Sequence, residues 1–394
     1  MTSQGFVAEG FEPLAEAFDS LFADGLEDGA SLAVYQHGQA VLDLWGGEDP
    51  HDGKPWEKDS VTIGFSTTKG AASIMLLRLV ERGLVDLDAP VARYWPEFAA
   101  AGKEQITVRQ VTQHRSALPY LEGAVEDFFT PGKAEGILAA QAPAYPVDSF
   151  FNYHAITFGT LIGELIQRVS GQRVGEFFAA EVAEPLGLDF WIGEPDSVEP
   201  RFRPVTYSAN PQVPPAVPEE LLAQLPLAVS AGVKTFEQLL SLFTPDSREA
   251  GANTLVYRQA QLAGANGVNN GRALARMYAA TIGEVDGVRL LSGETVEQAR
   301  RYATADIERP ALPDGTPQPQ PHWGIGFQLE DPTNPVMLGE GSFGHAGMGG
   351  RLGFADPESG IAFGYVSQRM HLEQTPDERM TRLNSALRSV VAGQ

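Results

Sequence analysis

The chain has no cysteine. Disulfides, thiolate metal sites and a cysteine nucleophile are therefore excluded, and a reducing compartment is the natural setting. No run approaches the roughly 20 apolar residues that a membrane-spanning helix needs. The first residues, Met1-Thr2-Ser3-Gln4-Gly5-Phe6, lack a basic segment followed by an apolar one, so a cytoplasmic protein with no membrane partner is expected. Basic side chains are scarce: 28 Lys and Arg stand against 51 Asp and Glu, for a net charge of −23. That balance argues against nucleic acid and anionic lipid as partners. The 394 residues, 43% apolar and 20% charged, describe an ordinary globular protein of one large domain, or two sharing a core. No internal repeat is visible.

Against those absences, Phe65-Ser66-Thr67-Thr68-Lys69-Gly70 holds the chain's single S-x-x-K. Mostly apolar helix formers follow from Ala71 to Val80, and Gly83 is a suitable C-terminal stop. Residues three apart on a helix share a face, so Ser66 and Lys69 are expected side by side at the start of a largely buried helix. A serine hydroxyl becomes a nucleophile when a base takes its proton, and a dehydrated lysine can be that base or tune one.

Strand-like segments sit at both ends of the chain. Ser31–Gly47 reads as a hairpin turning at His37-Gly38. Gly350–Ala355 and Gly360–Ser367 read as strands joined by the tight turn Asp356–Gly360. Between them lie helix patterns at Ile156–Ser170 and Gly271–Ile282, and an amphipathic helix is expected over 375–392. The order predicts an α+β fold: one antiparallel sheet completed by both chain ends, flanked by helices, with a mainly helical region inserted. Residues 1–394 are read as one catalytic unit, with 1–65 plus 320–394 forming the sheet region and 66–319 the helical one. Two proline-rich stretches, 194–226 with eight prolines and 310–321 with five, are irregular and candidates for the lid or rim of a site.

A serine hydrolase also needs a proton acceptor, an oxyanion hole and a pocket. Tyr153, in Phe151-Asn152-Tyr153-His154-Ala155, can serve as a phenolate if cations lower its pKa. The glycine-rich Ser342–Gly350 lets a ligand approach the backbone, whose N–H groups can face an oxyanion. No G-x-S-x-G is present, which argues against an α/β-hydrolase.

In this order and spacing, the elements resemble the serine β-lactamase and penicillin-binding-protein superfamily. Within it they are most similar to class C β-lactamases, D-alanyl-D-alanine carboxypeptidases and family VIII carboxylesterases. Ser66 and Lys69 match S-x-x-K. Tyr153-His154-Ala155 matches Y-x-N with alanine in place of asparagine. His345-Ala346-Gly347 matches the K-T-G strand in its H-x-G form. Ile106–Pro119 (with His114 and Ser116), Leu84–Val91 and Pro185–Leu188 resemble further segments of the family, so the likeness spans about residues 30–370. Lys234-Thr235-Phe236 lacks the glycine and is rejected as K-T-G.

The resemblance implies a β-lactamase/transpeptidase-like fold and an acyl-enzyme on Ser66. Tyr153, kept partly ionised by Lys69, would take the Ser66 proton and pass it to the leaving group. The backbone N–H groups of Ser66 and Met348 would form the oxyanion hole. His345, Ala346, Gly347 and Ala155 would line the substrate. No metal or cofactor is required. Ala155 removes an amide that β-lactamases use, and His345 removes the lysine cation. Both departures favour a carboxylesterase acting on neutral, short-acyl or small-alcohol esters. A β-lactamase or D-Ala-D-Ala peptidase, and an acyltransferase or amidase, are the alternatives.

Overall fold

The computed structural model describes residues 3–207, 217–242, 251–333, 335–372 and 377–393. Its main layer is a seven-stranded antiparallel sheet. Strands β1 (Gln4–Val7), β2 (Gly29–Gln36) and β3 (Gln39–Gly47) come from one end of the chain. Strands β4 (Gln328–Leu329), β5 (Phe343–Gly347), β6 (Arg351–Asp356) and β7 (Ile361–Ser367) come from the other. The order across the sheet is β1-β3-β2-β7-β6-β5-β4. Pairing of β2 with β7, Val34 opposite Phe363, joins the two ends as the sequence predicts. The β2–β3 turn falls at His37-Gly38, both with positive φ.

Six helices matter to the site: α1 (Glu12–Ala23), α2 (Thr68–Glu81), α3 (Thr157–Ser170), α4 (Leu227–Ser241), α5 (Gly271–Ile282) and α6 (Glu378–Ala392). Successive strand residues face opposite sides. Leu32, Val34, Leu352, Phe354, Phe363 and Tyr365 share one core with Phe18 and Leu21 of α1 and Leu383 and Leu387 of α6. Ala33, Tyr35, Ala355, Ala362 and Val366 belong to the other core, against Leu274, Met277 and Tyr278 of α5. The small residues on that face let α5 lie close to β2, β6 and β7. Thus α5 joins the sheet layer although it lies within 66–319. Residues 4–23, unassigned from sequence, form β1 and α1. Residues 375 and 376 of the expected last helix lie outside the described residues, as do 208–216 of the first proline-rich stretch.

Helix α2 is buried without a break from Thr68 to Leu77, which is why its sequence is apolar all round rather than striped. It packs against α3 on one side and approaches β5 on the other. Ser66 and the tip of β5 are therefore neighbours.

Candidate active site

Ser66 sits on a short 3₁₀ turn, Phe65–Thr67, that leads into α2. The residue before it, Phe65, has φ of 48°. A bulky side chain there is strained, and strain of this kind persists only where the surroundings enforce it. They do so here. The Phe65 ring is buried and lies under the Arg351 guanidinium, 5.1 Å from its centroid.

Three side chains converge. Tyr153 donates its phenolic O–H to Ser66 Oγ at 2.9 Å. Lys69 Nζ is 3.2 Å from the same oxygen. Lys69 also donates to Ala155 O at 2.6 Å and Gly264 O at 2.7 Å. It is fully buried, and burial pushes its ammonium well below the usual lysine range. A neutral amine has two hydrogens and one lone pair. The two carbonyls take the hydrogens, and the lone pair is left for the Ser66 hydroxyl.

The same burial pushes the Tyr153 phenol up, against a smaller opposing effect of its hydrogen bond to Ser66. Burial thus works against the expected partial ionisation of Tyr153 by Lys69: an environment that disfavours a lysine ammonium also disfavours a tyrosine phenolate. Both shifts favour the amine form of Lys69 and the phenol form of Tyr153.

Tyr153 is held by a network that the motifs only hinted at. His114 is wholly buried, and its Nδ1 accepts from the backbone N–H of His154 at 3.1 Å. His154 bonds Asn152 O through Nδ1 at 2.6 Å and Ser116 Oγ through Nε2 at 2.8 Å. Burial pushes His154 down to about 4, so this Ser116–His154 pair, sealed from solvent, is a neutral brace rather than a second nucleophile. Gly264 gave no motif. Its one signal is glycine itself: a Cβ there would stand 2.9 Å from Gly159 N, where α3 comes close.

The strand β5 forms the opposite wall. A Cβ at Gly347 would fall 2.4 Å from Gly64 O and 3.1 Å from Thr67 Cγ2, so glycine lets the strand meet the Ser66 turn. Arg351 ties the two together, donating to Ile63 O at 3.2 Å and Met348 O at 2.9 Å. Arg379 holds the next carbonyl, Gly349 O, at 2.8 Å. The turn after β5, where Met348 stands half-buried, is thus fixed by two guanidiniums.

His345 is buried, and its Nδ1 bonds Ala346 O at 2.6 Å. Burial pushes it down to about 3, so it is neutral near pH 7. Ala155 is buried beside Lys69 and contributes its carbonyl rather than a side chain.

Next to Tyr153 opens a cavity of about 430 Å³, within the size range of small-molecule sites. Phe151, Tyr153, Ala155 and residues of α4 line it, with Pro310, Ala311, Leu312, Pro313 and Gln318 from the second proline-rich stretch. That stretch therefore forms a rim of this cavity. The rejected Lys234-Thr235-Phe236 lies on α4, where Thr235 and Phe236 face the same cavity.

A comparison with known proteins agrees with this geometry. The Beta-lactamase family model matches residues 18–387, and the chain belongs to that family. It is 37% identical over 370 residues to the Esterase/beta-lactamase LipL of Mycobacterium tuberculosis, covering 91% of this chain and 81% of that protein. A family VIII carboxylesterase structure superposes with a TM-score of 0.83 at 31% identity, covering 99% of this chain and all of the other. A penicillin-binding-protein homologue from Caulobacter crescentus does so with a TM-score of 0.83 at 32% identity and the same coverage. The fold is that of the β-lactamases and transpeptidases, and the protein is a serine hydrolase. Among the described residues no helix is long and apolar enough to cross a membrane.

Proposed function

We propose that the protein is a serine carboxylesterase working through an acyl-enzyme on Ser66. The carrying observation is an intact Ser66–Lys69–Tyr153 cluster beside recognition positions that offer neither amide nor cation: Ala155 and neutral His345. Such a site suits esters that are uncharged around the scissile bond. The apolar cavity beside Tyr153 supplies the pocket.

Lys69 amine accepts the Ser66 proton as Oγ attacks the ester carbonyl. The oxyanion is met by the backbone N–H groups of Ser66 and Met348. Tyr153, whose O–H already points at Oγ, gives its proton to the departing alcohol, and the Lys69 ammonium restores it through the reacting oxygens. Water then enters by the reverse route and frees Ser66. His345, Ala346 and Gly347 border the substrate on the strand side.

Hydrolysis of p-nitrophenyl butyrate by the wild type and its loss in Ser66→Ala test the assignment. Retention of most activity by that variant sinks it. Lactam hydrolysis is the second reading, favoured by the name of the LipL relative. Nitrocefin turnover exceeding ester turnover in kcat/KM supports that reading over the first.

A further inference from the structure

One cation faces the cavity without an acid of its own. Arg309 begins the proline-rich rim, and its guanidinium lies 5.4 Å from the centroid of the Phe151 ring. Its Nε is buried with no hydrogen-bond partner. Other buried arginines are held at every side: Arg258 pairs with Glu194 at 2.6 Å and Arg379 with Glu27 at 2.9 Å, while Arg203 and Arg351 donate to backbone carbonyls. Arg309 has no carboxylate at ion-pair distance among the described residues, in a chain with 51 acidic side chains. Asp331 acts on it only from a distance, and burial weighs against its charge. Among the described residues, none that lines the cavity is acidic. The other polar side chains there are engaged: Asn152 donates to Ala228 O, Thr235 to Ala231 O and Gln318 to Pro310 O.

The position of Arg309 is not left to chance. Phe151 N donates to Glu308 O at 2.8 Å, and Ile307 packs with Phe151 and Trp323. Gln320 donates to Ile307 O and Thr304 O, both at 2.7 Å. The backbone that carries the guanidinium is therefore fastened to the strand of chain that carries Tyr153. A desolvated guanidinium beside an apolar chamber gains most from a planar anion that forms two parallel hydrogen bonds.

We propose that this cavity takes the half of an ester substrate that carries an apolar chain ending in a carboxylate, with Arg309 as the carboxylate's partner. The proposal rests on the esterase reading and narrows it. The substrate is uncharged at the scissile bond, where His345 offers no cation, and anionic at the far end of the half held by the cavity.

The test compares charged and uncharged esters of equal chain length in two series. On the acyl side, p-nitrophenyl monoesters of straight-chain dicarboxylic acids are set against p-nitrophenyl esters of monocarboxylic acids. On the alcohol side, acetates of ω-hydroxy acids are set against acetates of straight-chain alcohols, followed by pH-stat. The readout is the ratio of kcat/KM, charged over uncharged, within each variant, so a loss of folded enzyme cancels. In one series and at one chain length, Arg309→Gln is expected to lower that ratio by about 10- to 100-fold, the scale of hydrogen bonds to a charged group. Arg309→Lys should fall between, and Arg309→Glu lowest. Equal ratios in the wild type and Arg309→Gln throughout both series overturn the proposal while leaving the esterase reading intact. Failure of the wild type to hydrolyse any of the esters overturns both.

Discussion

Two lysines of this chain expose no surface to solvent, Lys69 lying the deeper, and are used in opposite ways. Lys103 donates to Ala100 O at 2.8 Å, Ala139 O at 3.1 Å and Gln141 O, with Phe98 beneath it. Lys69 donates to two carbonyls and meets Ser66 Oγ, with Tyr153 and Phe158 beneath it. Three carbonyls can only accept, so Lys103 is complete as an ammonium and tethers its own turn to residues 139–141. Two carbonyls and a hydroxyl leave Lys69 complete as an amine as well, because a hydroxyl can also donate. Burial lowers both, but Glu122 pulls Lys103 back up, and no acid does so for Lys69. What separates a structural lysine from a base is the third partner.

Removing the amine tests that contrast most severely. Lys69→Met is expected to lower kcat/KM for p-nitrophenyl butyrate by about 10³- to 10⁴-fold, the upper range for a lost general base. Lys69→Arg should do no better, because a guanidinium does not deprotonate in this range. A loss under tenfold in Lys69→Met gives the role of base to another group.

Moving one of the two carbonyls is the next largest perturbation. In Gly264→Ala the new Cβ meets Gly159 N at 2.9 Å, Gly159 Cα at 3.0 Å and Lys69 Cγ at 3.5 Å. The backbone at 264 has to shift and takes the amine's partner with it. We expect kcat/KM to fall by about 10- to 100-fold, as misplacement of a catalytic group by an ångström does. Unchanged kinetics in a folded variant imply that Ala155 O alone suffices to orient Lys69.

The same change at the other lysine should touch stability and spare the chemistry. Lys103→Met leaves Ala139 O and Gln141 O without a donor, while Ala100 O keeps the backbone N–H of residue 103, for a loss of about 1–3 kcal/mol per group left unsatisfied. Denaturant unfolding should show the loss, while kcat/KM per folded molecule stays within twofold. A large kinetic effect here erases the distinction between the two lysines.

How far this contrast could be read from the sequence differs between its halves. That Ser66, Lys69 and Tyr153 would meet was legible because S-x-x-K and the tyrosine loop carry their chemistry in the residue type. The antiparallel sheet joined from both chain ends was legible because its strands alternate and end in glycine turns. Lys103 was not, since in Gly102-Lys103-Glu104 it looks like any solvated turn residue, and only the fold brings Ala139 and Gln141 to it. Gly264 was missed for the same reason: a backbone carbonyl has no signature. Residues 4–23 escaped because β1 is short and exposed and α1 lacks a side-chain N-cap. The burial that works against ionisation of Tyr153 was not legible, because it is a property of the whole fold.

The smallest effect decides the protonation state itself. Native Lys69 sits below the ordinary lysine pKa of about 10.4, so over the window between its native value and that one the unfolded chain holds a proton that the folded chain lacks. Stability must then rise with pH across the window, with a limiting slope of about 1.4 kcal/mol per pH unit. Lys69→Met has no such group. The stability of the wild type minus that of Lys69→Met, from urea titrations between pH 7 and pH 10, should therefore increase with pH, since the other titrating groups cancel in the difference. The same subtraction with Lys103→Met should give a shallower line, because Lys103 has three acceptors that favour the ammonium and Glu122 opposing its shift. Over the same range kcat/KM of the wild type should climb through the native pKa of Lys69 and level off once the amine predominates. A flat stability difference for Lys69→Met means that the resting enzyme holds an ammonium at Ser66, and the proton acceptor then has to be sought at Tyr153.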